Sequence, residues 1–155
     1  MLKHGFKVRG GTWVLAQLAV FVLFALAPQI GPRWAAAQAF RVTGTVAALT
    51  GLAILGYSAA NLGRSLTPFP RPLPTAQLVT AGAYRFVRHP IYLGVLLAAL
   101  GFALLTHSPL RLLLTLALAF FFDRKATIEE IWLLERYPEY QLYRSRVKKL
   151  VPWIY

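Results

Sequence analysis

The chain has 155 residues, 57% of them hydrophobic, and a formal net charge of +12. That length suits one compact unit, and so large an apolar share does not fit the alternating faces of a soluble domain. With no cysteine in the chain, disulfides, thiolate nucleophiles and thiolate-held metals are ruled out.

The apolar residues gather into four runs almost free of charge. The first, TWVLAQLAVFVLFALAPQIG over residues 12–31, has about the 20 residues needed to cross a hydrocarbon core roughly 30 Å thick. Lys3, Lys7 and Arg9 ahead of it, and the ALA near its end, also fit a signal peptide. Its full-span length favours a retained span, as does Pro28 directly after the supposed cleavage point. The second run, residues 42–62, is of similar length. It carries small residues at helical spacing, Thr43, Ala47 and Gly51 and then Gly56 and Ala60, which is the pattern of close helix packing in lipid.

Residues 63–90 follow as a loop containing Pro68, Pro70, Pro72 and Pro74. Proline denies helix continuation and favours extended chain, and a connection this long is usually functional or disordered. Leu66, Phe69, Leu73 and Leu78 argue against full disorder, so the loop is expected to lie along the membrane surface. The third run spans residues 91–107 and the fourth 109–122, with only Ser108 between them. This reads as a tight antiparallel hairpin with Ser108 as N-cap and Pro109 at the first helical position. Gly94, Ala98 and Gly101 repeat the small-residue spacing, and Gly94 alone lies beside polar residues where it could leave room for a ligand. No helix breaker occurs before Pro138, so one helix is expected from Pro109 to Arg136, about 42 Å long. Residues 124–155 are expected to form a C-terminal helical region ending in VPWIY, an interfacial anchor.

The expected fold class is therefore all-α: an integral membrane protein with four transmembrane helices, a 3–4 hairpin and a cytoplasmic helical extension, all one domain over residues 1–155. Of the 17 basic residues, only Arg33, Arg41 and Arg111 fall on one side of these spans. The others precede span one, lie in the 63–90 loop or follow span four. The positive-inside rule then places both termini and the loop in the cytoplasm, in an inner membrane. The net charge thus reports topology and attraction to anionic lipid. No nucleic acid is expected as a partner, because the basic residues follow the membrane boundaries and no binding motif accompanies them. His4, His89 and His107 are far apart, which argues against a metal centre. His107 and Asp123 read as membrane-boundary residues, Arg111 as snorkelling outward, and Tyr140 and Tyr143 as interfacial packing.

All five acidic residues, Asp123, Glu129, Glu130, Glu135 and Glu139, lie close together beyond span four. The hairpin returns Glu129 and Glu130 to the end of the bundle where Arg88 and His89 precede span three. A basic fork and a carboxylate pair at one place suit an amphoteric ligand: Arg88 or His89 for its carboxylate, a glutamate for hydroxyls or an amine. Tyr84 and Tyr92 could add hydroxyls or ring faces for a cation. Charge logic alone does not choose among such ligands.

GAYRFVRHPIYLG, followed by EEIWLLERYPEYQLYRSRVKKLVP, resembles the isoprenylcysteine carboxyl methyltransferase and phospholipid methyltransferase superfamily. Arg88, His89, Pro90, Tyr92 and Gly94 match its RHPxYxG segment. Glu129 and Glu130 match its glutamate pair, and Tyr140, Tyr143 and Pro152 its Y-x-x-Y stretch ending near a proline. The resemblance covers roughly residues 61–152. One departure is Pro138, where many relatives carry glycine, which affects the local helix geometry. The resemblance implies a membrane-embedded enzyme using S-adenosylmethionine to methylate a lipophilic acceptor at the cytoplasmic face, such as an isoprenoid carboxylate or a phospholipid amine. It further implies a cofactor pocket lined by Tyr84, Arg88, His89, Pro90, Tyr92, Gly94, Glu129 and Glu130, with either glutamate as a candidate base. Two other classes stay open: a sterol-reductase-like enzyme using reduced nicotinamide, and a non-catalytic lipid-binding membrane protein.

Overall fold

The computed structural model describes residues 10–29 and 34–155. Lys3, His4, Lys7, Arg9 and Arg33, used above for topology and the metal argument, lie outside the described residues. Among the described residues five α-helices follow one another: α1 Gly11–Leu26, α2 Ala37–Leu62, α3 Pro90–Leu105, α4 Pro109–Arg136 and α5 Tyr140–Arg146. Among the described residues there is no strand, only an isolated parallel bridge between Val87 and Lys148.

By length and composition, α2 with its following turn, Ala37–Ser65, can cross a membrane, and only 11% of its most apolar stretch is buried in the protein. Its apolar surface therefore needs an apolar solvent. α1 and α3 are apolar but shorter, at 16 residues each. Leu15, Leu18, Val22 and Leu26 on α1, Val42, Val46, Leu49 and Leu52 on α2, and Leu113, Leu116 and Phe120 on α4 are all exposed. In water these faces would leave many large apolar side chains exposed; they suit the surface of a helix bundle solvated by lipid.

α3 packs most extensively on α2, more than on its hairpin partner α4. Glycine makes that approach possible. A Cβ on Gly51 would stand 2.6 Å from the Gly94 carbonyl oxygen, and one on Gly101 would stand 2.6 Å from that of Gly44. The seven-residue spacing of Gly44 and Gly51 meets the same spacing of Gly94 and Gly101 on the antiparallel partner. The small residues expected to pack do not all do so. Thr43 and Ala60 are exposed, and nothing lies within 4 Å of a Cβ on Gly56.

The hairpin turns on Ser108, whose Oγ accepts from the Arg111 backbone N–H at 3.2 Å, with Pro109 at the first helical position. His107 sits in the turn at φ 47° and packs edge-on against Trp34. Arg111 does not snorkel outward. It is 8% exposed, donates to the Ala27 carbonyl at 2.8 Å and lies over the Phe102 ring. The carbonyls at the end of α1 have no helical partner, and Arg111 satisfies one of them.

α4 continues unbroken to Arg136 and ends before Pro138. The 63–90 segment is strapped onto its far half. Arg136 donates to the Pro74 carbonyl, Tyr137 Oη to that of Ala76 at 2.6 Å, and Lys125 Nζ to that of Pro68 at 2.9 Å. The Arg71 guanidinium lies 4.3 Å over the Trp132 ring. Two 3-10 turns, Gly63–Ser65 and Gly82–Arg85, bracket this strap.

Candidate active site

The RHP segment is fixed from its backbone outward. Arg88 N–H donates to the Lys148 carbonyl at 2.8 Å and His89 N–H to that of Lys149 at 3.1 Å, so the C-terminal segment pins it. That segment is in turn held by Lys149, whose ammonium meets Asp123 at 2.6 Å, while Tyr155 Oη donates to the same carboxylate at 2.8 Å. Asp123 thus anchors the C-terminus rather than only marking a boundary. Pro90 opens α3 at its first position, where the missing N–H costs nothing. One turn separates His89 from Tyr92, and their rings stack at 5.5 Å, 3° from parallel. Tyr92 stacks in turn on Phe122 at 4.3 Å.

The two glutamates point in different directions. Glu130 is 3% exposed and engages three basic side chains. Its Oε1 accepts from Arg88 Nε at 2.7 Å and lies 3.1 Å from His89 Nε2; its Oε2 lies 3.3 Å from Arg144 Nε. Burial opposes its ionisation, but the hydrogen bonds from His89 and Arg88 prevail and hold its carboxyl down at about 2. Glu129 accepts from Tyr92 Oη, and its other oxygen lies 3.5 Å from His89 Nδ1. For His89, burial disfavours the cation, but its bonds to Glu129 and Glu130 outweigh that and raise its pKa. The two carboxylates thus favour the protonated imidazole.

Beside this group lies a cavity of about 400 Å³ between the strap and the helices. Of the residues singled out in the sequence, Tyr84, Arg88, His89, Tyr92 and Glu129 line it. Glu130 lies behind them, Pro90 is buried at the start of α3, and Gly94 faces α2 with Leu55 N 2.7 Å from where its Cβ would be. Tyr140 and Tyr143, read as packing, also line the cavity. Tyr143 Oη donates to the Tyr84 carbonyl at 2.5 Å, whereas the Tyr140 hydroxyl is buried without a partner among the described residues.

Sequence reasoning missed Lys125 and Gln17, which line the same cavity, and Arg144. Lys125 is one helical turn before Glu129, a spacing that could have flagged it. Gln17 stands in an otherwise apolar stretch, which could have flagged it too. The Lys148 and Lys149 carbonyls gave no signal, because any residue supplies a carbonyl.

A phospholipid methyltransferase family model matches residues 36–140, about two thirds of the chain. The chain belongs to this family. It is 39% identical over 79 residues to protein-S-isoprenylcysteine O-methyltransferase of Schizosaccharomyces pombe, covering 50% of this chain and 34% of that protein. It is 34% identical over 115 residues to a probable protein-S-isoprenylcysteine O-methyltransferase of Oryza sativa subsp. indica, covering 72% of this chain and 60% of that protein. The fold matches that of a eukaryotic intramembrane Ras methyltransferase, isoprenylcysteine carboxyl methyltransferase, with a TM-score of 0.68 at 24% identity. That match covers 94% of this chain and 54% of the other. The chain thus spans only about a third to three fifths of the length of these relatives. Within the phospholipid methyltransferase region fall α2 to α4, the strap, the RHP segment and both glutamates. Gln17 on α1 and the segment that pins His89 lie outside it.

Proposed function

We propose that this family member is an S-adenosylmethionine-dependent methyltransferase acting on a lipophilic acceptor. The observation that carries the reading is the cavity in which Glu129, Arg88, His89 and five tyrosines converge. Its volume falls in the range of small-molecule sites, roughly 300–1,000 Å³. The donor set fits an amphoteric cofactor. Arg88 spends Nε on Glu130 and Nη1 on the Arg144 and Val147 carbonyls, which leaves Nη2 for a ligand carboxylate. Glu129 offers a carboxylate to hydroxyls or to a cationic centre, and the buried Tyr140 hydroxyl lacks an acceptor that a ligand could bring.

When bound, the cofactor supplies a methyl group already activated on a sulfonium. The chain's own task is then to hold the two reactants in line and to keep water out. Glu130 aims Arg88 and His89; with its oxygens occupied and its carboxyl held at about 2, it is a poor proton acceptor. Glu129 is the base if the acceptor is an amine, and a carboxylate acceptor needs none. The strap forms one wall of the cavity, with Leu66, Phe69 and Leu78 among its apolar lining.

The same reading makes α1, α2, α3 and the apolar half of α4 four membrane spans, with both termini and the cavity on the cytoplasmic side of an inner membrane. The unequal distribution of basic residues supports it. Protein in nanodiscs is titrated calorimetrically with S-adenosylmethionine and with reduced nicotinamide dinucleotide phosphate, then incubated with membranes and methyl-labelled cofactor. The expected result is saturable binding of the first alone and label in a lipid fraction. Binding of the nicotinamide instead points to a reductase. Binding of neither, with no label transferred, points to a non-catalytic lipid-binding protein.

A further inference from the structure

At the end of the cavity where α1 meets α4, the wall presents hydrogen-bond donors. Lys125 is 1% exposed, and its ammonium donates to Gln17 Oε1 at 2.6 Å and to the Pro68 carbonyl at 2.9 Å. Both acceptors are neutral. The carboxylate nearest it, Glu129 Oε1, is 4.0 Å away and already accepts from Tyr92. One ammonium N–H is therefore unspent, and because Gln17 uses its oxygen on Lys125, its amide N–H groups are left for another acceptor. Burial lowers the Lys125 pKa, offset in part by Glu129 at 4.0 Å, and both groups that accept its hydrogen bonds are neutral. An anionic oxygen placed here would accept the unspent ammonium N–H and a Gln17 amide N–H. The strap beside Lys125 is apolar, with Leu66, Phe69 and Pro70 flanking Pro68, as a lipid chain requires.

We propose that Lys125 and Gln17 form the subsite that receives an anionic oxygen of the lipophilic acceptor, carried by a carboxylate or by a phosphodiester. This rests on the methyl-transfer reading for its description of the ligand as an acceptor. The anion preference itself is measurable without turnover.

The test is equilibrium binding to protein in uncharged nanodiscs. One arm compares farnesylthioacetate with its carboxamide, and the other lysophosphatidylglycerol with the matching monoacylglycerol. Wild type should prefer the anionic member of at least one pair by about tenfold, the size of one charge-assisted hydrogen bond. Which arm shows the preference identifies the source of the anion. Lys125→Met should reduce the preference to within about twofold, and Lys125→Arg should keep it. If Lys125→Met does not fold, Gln17→Leu, which spares the bond to Pro68, should still lower the preference at least threefold or so. The inference is overturned if wild type prefers neither anion, or if the preference survives in Lys125→Met or, where that variant does not fold, in Gln17→Leu. Failure of S-adenosylmethionine to bind wild type would instead sink the methyl-transfer reading and leave the anion result to be judged separately.

Discussion

Glu129 and Glu130 are adjacent in the chain, so they leave α4 about 100° apart. That single step separates a side chain on the cavity wall from one buried among Arg88, His89 and Arg144. Their variants should fail differently. Glu130→Gln leaves buried cations without a counter-charge, a loss on the order of 3–5 kcal/mol. It should show as a clearly lower unfolding temperature before any ligand is added. Glu129→Gln should keep the fold and weaken S-adenosylmethionine binding by about tenfold in calorimetry. Equal thermal losses in the two variants would contradict this division. Acid sensitivity follows from the same residue. The Glu130 carboxyl is held at about 2 against an ordinary 4.5. Its contribution to stability is therefore complete above 4.5 and lost as pH falls toward 2. His89, whose pKa is raised, contributes fully below its ordinary 6.5 and loses that contribution as pH rises through the raised value. Thermal unfolding followed from pH 5 down should decline in wild type and be markedly flatter in Glu130→Gln.

Among the elements, the α2–α3 pair and the strap do most to place the site. α2 holds α3 through glycine-to-backbone contact, and α3 begins with Pro90 directly after His89. A side chain on Gly51 meets backbone atoms of Gly94 and Ala98, which cannot move aside. Gly51→Leu should therefore force the helices apart, with a loss of at least about 2 kcal/mol. Gly56→Leu, facing open space, should change stability by less than about 0.5 kcal/mol. Parallel thermal melts of the two variants in one detergent check this, and equal losses would remove the glycine contact as the explanation.

For the whole molecule, an exposed apolar girdle surrounds α1, α2 and α4, while charge and hydrogen bonding concentrate at the end bearing the cavity. The C-terminal segment closes that end, with its carbonyls on Arg88 and His89 and its Lys149 on Asp123. If the basic residues set the orientation, a reporter fused at Tyr155 should be active only in the cytoplasm. A fusion active only outside the cell would reverse the topology and move the cavity to the other face.

Helix class, the hairpin at Ser108 and the length of α4 were determined by local sequence. Capping, proline position and unbroken apolar runs act over a few residues and need no partner. Convergence of the RHP segment with the glutamate pair was legible too, because a short antiparallel hairpin must return its ends to one level. Which glutamate faces the cavity was not legible, since helix rotation about its own axis is settled by what packs around it. Gly44 rather than Thr43, and Gly51 rather than Gly56, became contacts for the same reason: in an apolar helix every face looks alike until a neighbour selects one. Arg111 turned inward because an unpaired carbonyl at Ala27 came within reach. The strap's place over the cavity, and the pairing of Lys125 with Gln17, were likewise decided only by tertiary structure. They join residues 57 and 108 positions apart, and no local preference acts over that distance.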